Sequence, residues 1–245
     1  MRPIFFLLFI IASCLALAQH QNPASQPLLP GDTDKWELIR SGEFNGSDKD
    51  LDQRWISQNG PSGHILCSRW RENVTVTNGL LRIIARKEKS GGQDWTAGSI
   101  WTREMFQYSY FECRYRYAAA DGLNNSFWLM PTSAKKIKRG KFFEIDFNEG
   151  HFPNKVNNNI HNHSDIKIVN GKPTHPTSPR RFIFSRKNFT DEFQVHGLEW
   201  NENELVFYLN GRETQARGKR ILPQPSLNLV EPCGHSMGGP HHRCH

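Results

Sequence analysis

Apolar and polar residues alternate along this chain in short runs, each closed by turn residues. Runs at 74–76, 80–85, 97–102, 108–117, 125–130, 142–148, 156–162, 182–185, 194–200 and 205–209 read as strands, rich in β-branched and aromatic side chains. Asn78-Gly79 follows the first run and Asn210-Gly211 the last. This dipeptide suits a tight hairpin because both of its residues tolerate a left-handed backbone. No ten-residue stretch carries a helical period, and no repeat of 20–50 residues is visible. Many short strands with frequent turns predict an all-β sandwich.

One strand carries an unusual burden. Residues 142–149 read Phe-Phe-Glu-Ile-Asp-Phe-Asn-Glu. Alternation puts Glu144 and Asp146 on one face and Phe143, Ile145 and Phe147 on the other. Glu149 joins the acids only if a β-bulge adds one residue between Asp146 and Glu149. A purely structural strand avoids three aligned carboxylates, because they repel. Hydrolysis of a glycosidic bond uses such a set: one carboxylate attacks the anomeric carbon and another protonates the leaving oxygen. In the retaining version the two carboxyl groups lie about 5–5.5 Å apart. Four strand steps separate the outer Cα atoms by about 13 Å, a gap that inward-leaning Glu side chains narrow. Taken alone, the E-x-D-x-x-E pattern also fits a solvated acidic strand.

The ends of the chain add context. Arg2, the apolar run 4–12 and Ala16-Leu17-Ala18 form the three parts of a secretory signal, placing cleavage after residue 18. The expected location is secreted or periplasmic. Residues 11–14 also resemble a lipobox, which would anchor the protein through Cys14. Residues 19–35 are rich in Pro, Gln and Ser and read as a flexible leader. The folded domain is expected over 36–230, with an atypical tail at 231–245. Beyond the signal, Cys67, Cys113, Cys233 and Cys244 allow three disulfide connectivities or free thiols.

The 245 residues suffice for one buried core, and 37% hydrophobic with 22% charged residues is a globular balance. The formal net charge of +7 comes without any nucleic-acid-binding motif. No nucleic acid or protein partner is implied, and a monomer is expected. The basic stretch 135–139 (Lys-Lys-Ile-Lys-Arg) leans toward an anionic polymer, though a solvated loop has the same composition.

The hexapeptide Glu-Ile-Asp-Phe-Asn-Glu at 144–149 resembles the signature of glycoside hydrolase family 16, the laminarinases, agarases, porphyranases and κ-carrageenases. Further stretches at 36–46, 73–86, 97–117, 124–131 and 195–213 are similar to that family in the same order. The resemblance implies a jelly-roll sandwich of two antiparallel sheets with an open cleft on its concave face. It implies Glu144 as nucleophile, Asp146 as assisting acid and Glu149 as general acid/base. Trp128 matches the Trp near the nucleophile. His161 and His163 share a face, and His163 is the one expected to reach the cleft. Trp70 is a candidate stacking platform or a loop anchor. The implied substrate is a β-linked polysaccharide, a marine galactan or a β-glucan. The chemistry requires no cofactor or metal; a structural calcium is compatible with the sequence but has no support in it.

Two departures stand out. Residues 193–197 read Phe-Gln-Val-His-Gly where the family often shows Phe-His-x-Tyr-Gly, so no role passes to His196. After about Leu229 the chain leaves the family pattern, and one or more C-terminal strands are expected to be missing. An incomplete sandwich would expose a strand edge and could leave a binding-only, lectin-like protein. The tail also contains Gly234-His235-Ser236-Met237-Gly238, a formal nucleophile elbow. An esterase needs Asp and His after that Ser, and no Asp follows. The tail's Cys and His residues match no regular zinc spacing.

Overall fold

The computed structural model describes residues 36–62, 65–131, 143–177, 181–218 and 227–235. The signal and leader, Cys14, the basic stretch 135–139, and Ser236 and Gly238 of the elbow lie outside them.

In chain order, helix α1 (Asp48–Arg54) leads into β1 (Trp55–Ser57), β2 (Ser68–Arg69), β3 (Val74–Thr77), β4 (Leu80–Ile83) and β5 (Thr96–Ala97). Then come β6 (Ile100–Phe106), β7 (Tyr110–Tyr115), β8 (Asn124–Met130), β9 (Phe143–Gly150) and β10 (Lys155–Asn162). A small hairpin, β11 (Lys167–Val169) and β12 (Lys172–Thr174), precedes β13 (Arg181–Phe184). The chain closes through β14 (Gln194–Trp200), β15 (Glu204–Leu209), β16 (Arg212–Gly218) and β17 (Leu227–His235).

These strands build a jelly-roll sandwich. One sheet runs β1-β6-β17-β8-β9-β10-β13 and the other β16-β15-β14-β7, both antiparallel. The core lies between them. Phe127, Leu129, Ile145, Phe147, Val156 and Ile160 from the larger sheet meet Phe111, Leu198, Trp200, Leu205 and Phe207 from the smaller. Every one of these is buried, and burying an aliphatic or Phe side chain is worth about 1.5–3 kcal/mol. A second cluster of Leu51, Trp55, Val74 and Ile100 seats α1 and the early strands.

The hairpin turns follow from local chemistry. Asn78 and Gly79 both take positive φ (54° and 70°), as do Asn210 and Gly211 (51° and 72°). Asn170-Gly171 does the same (51° and 75°) at the β11–β12 hairpin, which was not among the expected strands. Helix α1 was also unanticipated. Only Leu51 of its seven residues is buried, so it shows no apolar period. Ser47 starts it, with its backbone N–H and hydroxyl donating to Asp50 Oδ2 at 2.7 and 2.8 Å.

Strand β17 lies in the middle of the larger sheet, between β6 and β8. Its pairing with β8 continues through Cys233, Gly234 and His235. The backbone therefore stays in the sheet five residues past the boundary placed at 230. The register shifts between Val230 and Cys233, where Pro232 supplies no amide proton for the ladder.

Candidate functional site

The acid strand β9 is central, flanked by β8 and β10. On its β8 side, Phe127 pairs with Asn148 and Trp128 with Asp146, so Phe147 is an extra residue. This register shift is the bulge that the spacing of the acids calls for. Its effect is visible in burial. Ile145 and Phe147 are core residues, and Asn148, one position on, is also fully buried. Two consecutive residues thus face inward, and Glu149 returns to the face of Asp146.

Turning Asn148 into an apolar core costs hydrogen bonds unless partners are waiting. Its side-chain amide reaches the hydroxyls of Tyr115 and Tyr117 at 2.5 and 2.7 Å and the Asn125 carbonyl at 3.1 Å. Burial raises the Tyr117 hydroxyl pKa well above the ordinary phenol range, so it stays protonated. Gly150 lets this ring approach, since a Cβ there would sit 2.3 Å from it.

On the outer face the acids have distinct surroundings. Glu149 is held by amides. Asn124 Nδ2 donates to its Oε1 at 3.3 Å, Asn157 Nδ2 donates to its Oε2 at 2.9 Å, and Asn159 Nδ2 donates to the same oxygen. Glu144 and Asp146 are held by imidazoles. His163 Nε2 lies 2.7 Å from Glu144 Oε2, and His161 Nε2 lies 3.2 Å from Asp146 Oδ2. The Asp146 side chain is 4% exposed and that of Glu144 21%, so the middle acid is shielded while an outer one meets solvent.

A third imidazole completes the cluster. The β11–β12 hairpin carries the chain out and back, bringing His175 and Thr177 to His161. His161 Nδ1 lies 3.0 Å from His175 Nε2 and 3.0 Å from Thr177 Oγ1. The His163 and His175 rings are 4.2 Å apart between centroids. Partial burial, then the neighbouring His163 and His161, lower the His175 pKa, with Glu144 acting in the opposite sense.

The structure brings Glu144, Asp146, Glu149, Trp128 and His163 to adjoining positions on one sheet. Trp128 pairs with Asp146 across the strands, and its indole Nε1 is buried without a hydrogen-bond partner among the described residues. Trp70 sits elsewhere, just after the short strand β2. Its indole donates to Ser68 Oγ at 2.7 Å, and its ring packs beside Gly91, contacts that suit a loop anchor. His196 belongs to the core. It is fully buried among Tyr115, Tyr117 and Phe189, and burial depresses its pKa to about 3.

Sequence reasoning missed Asn124, Asn157, Asn159 and His175. For the β10 pair the signal was present. Residues 157, 159 and 161 alternate as Asn, Asn and His along a strand placed at 156–162, and so share one face.

The family model described as Glycosyl hydrolases family 16 matches residues 63–225, which include the acid strand and both its neighbours in the sheet. The chain belongs to glycosyl hydrolases family 16. It is 27% identical over 242 residues to the κ-carrageenase of Pseudoalteromonas carrageenovora, covering 86% of this chain and 59% of that protein. It is likewise 27% identical to a β-glucanase of Rhodothermus marinus, over 86% of this chain and 72% of the relative. Among solved structures, a κ-carrageenase from Zobellia galactanivorans superposes with a TM-score of 0.67 at 23% identity. That match covers 86% of this chain and 84% of the other, and it shows a shared fold. The chain thus spans about three fifths of the length of the first of these relatives.

Proposed function

We propose that this family 16 protein is a retaining endo-glycoside hydrolase acting on a β-linked polysaccharide. The observation that carries the reading is the bulged acid strand, which gathers Glu144, Asp146 and Glu149 on one face, opposite the core. Glu144 attacks the anomeric carbon and a glycosyl-enzyme bond forms as the leaving oxygen departs. Glu149 gives that oxygen its proton. A water molecule, deprotonated by Glu149, then attacks the anomeric carbon and frees Glu144. Asp146 stands between the two, and its placement suits holding the nucleophile by hydrogen bonding. His163, at 2.7 Å from Glu144, orients the attacking carboxylate. The buried Trp128 N–H lacks a protein acceptor among the described residues, and a sugar oxygen would satisfy it.

The basic net charge favours an anionic galactan over a neutral glucan as substrate. The relatives' names include both classes, a κ-carrageenase and a β-glucanase. Export through the N-terminal signal and action as a monomer belong to the same proposal, as does chemistry without a cofactor.

The test is release of reducing ends from agar, porphyran, κ-carrageenan and laminarin. At least one polymer is cut by the parent protein, and neither Glu144→Gln nor Glu149→Gln cuts it while both still bind it. Equal activity in Glu144→Gln would remove the nucleophile assignment. Binding by the parent protein without any cleavage would favour the lectin-like reading.

A further inference from the structure

We infer that the acid face is also a binding site for a divalent transition cation such as Zn2+, which holds the protein in an inhibited state. Asp146, Glu149 and His161 each offer a ligand atom, and the three atoms lie within 4.8 Å of one another. One imidazole with two carboxylates matches the N/O donor sets that bind zinc. Magnesium and calcium prefer all-oxygen sites, whereas zinc and its first-row neighbours accept a mixed imidazole and carboxylate set.

The surroundings point to a ligand as well. Asn157 and Asn159 are 4% and 1% exposed. Their amide nitrogens donate to Glu149, yet their Oδ1 atoms are buried with no hydrogen-bond partner among the described residues. Turning either amide about its Cβ–Cγ bond would exchange the N–H group facing Glu149 for Oδ1, an acceptor that a bound cation would satisfy. Both amides engage Oε2 of Glu149, leaving Oε1, among the described residues, with the longer contact to Asn124 at 3.3 Å.

His161 is also braced for the role. A metal-binding imidazole nitrogen must present its lone pair, so the other nitrogen must carry the proton and needs an acceptor. His161 Nε2 faces Asp146, while Nδ1 has Thr177 Oγ1 and His175 Nε2 each at 3.0 Å. On binding, the ring keeps its proton on Nδ1 and coordinates through Nε2. Any proton on Nε2 passes to solvent.

The inhibition rests on the acid/base role proposed for Glu149, because a carboxylate tied to a metal cannot deliver a proton. The binding itself does not depend on that role. Untagged full-length protein titrated calorimetrically with ZnCl2 tests it, since any zinc held by the histidines of the tail is common to every variant. His161→Gln and Asp146→Asn each bind one Zn2+ fewer than the parent, whereas His163→Gln binds the same number. Equal stoichiometry in all four proteins overturns the site. Zinc-soaked crystals of the parent give a check that needs no variant. An anomalous peak is expected about 2.0–2.2 Å from His161 Nε2 and from oxygens of Asp146 and Glu149, and its absence overturns the site. Zinc bound there with hydrolysis undiminished would refute the inhibition and the acid role of Glu149, while leaving the ligand set intact.

Discussion

The two ends of the acid row are built from different materials. Around Glu149 stand three amides, Asn124, Asn157 and Asn159. Around Glu144 and Asp146 stand His163 and His161, with His175 behind them. A side-chain amide offers two N–H donors and is neutral at any pH, whereas a neutral imidazole offers one N–H. The end proposed to pass a proton to the substrate thus has amide neighbours. The end proposed to attack is held instead by the ring nitrogens of His163 and His161. One strand holds both because the bulge at Phe147 changes its facing between Asp146 and Glu149.

The sharpest way to break this division is to remove the acids. Glu149→Gln should lower turnover at least about 100-fold, the lower end for positioned proton transfer, and Glu144→Gln should lower it further. Next comes His163→Ala, which deletes a hydrogen bond to a charged group worth about 1.5–3 kcal/mol. A fall of about 10- to 150-fold in kcat/KM is expected, carried by kcat rather than KM. A loss confined to KM would mean that His163 does not position the Glu144 carboxylate.

A third test uses a histidine outside the row. Buried His196 has its pKa depressed to about 3, so the unfolded chain binds its proton first as pH falls. The stability it contributes is complete above pH 6.5 and is lost as the pH drops from 6.5 toward 3. Each unit in that window removes about 1.4 kcal/mol. Urea midpoints across this range should therefore decline more steeply for the parent than for His196→Phe.

The smallest effect is expected from Asn157→Ala. It removes one neutral amide among three, worth about 1 kcal/mol, and should slow hydrolysis about fivefold. A loss as large as that of His163→Ala would erase the contrast between the two ends.

Much of the fold could be read from alternation alone. The runs at 74–76, 125–130, 156–162, 194–200 and 205–209 lie on strands of the structure, as do residues 143–148 of the run at 142–148. Helix α1 escaped because one buried Leu leaves no period to detect. The β11–β12 hairpin escaped despite its Asn-Gly turn. Its strands are short, and all their residues are exposed, so no inward-outward pattern marks them. That hairpin delivers His175 and Thr177, so missing it meant missing the brace behind His161.

The bulge was readable because the chemistry of the acids demanded it. Its cost was not, since the hydroxyls that receive Asn148 come from β7 and the residues after it, about thirty positions earlier. Side chains that meet only through the packing of two sheets leave no local trace in sequence. Trp70, a stacking platform or a loop anchor by sequence, is fastened by its indole to Ser68.

The central claim is that Glu144 and Glu149 share one anomeric centre across the bulge. Proton NMR of the first reducing ends formed from a β-linked polymer tests it most directly. Retention predicts that the β-anomer appears first and mutarotates only afterwards. Immediate appearance of the α-anomer would mean that water attacks directly, and the assignment of Glu144 as nucleophile would be wrong.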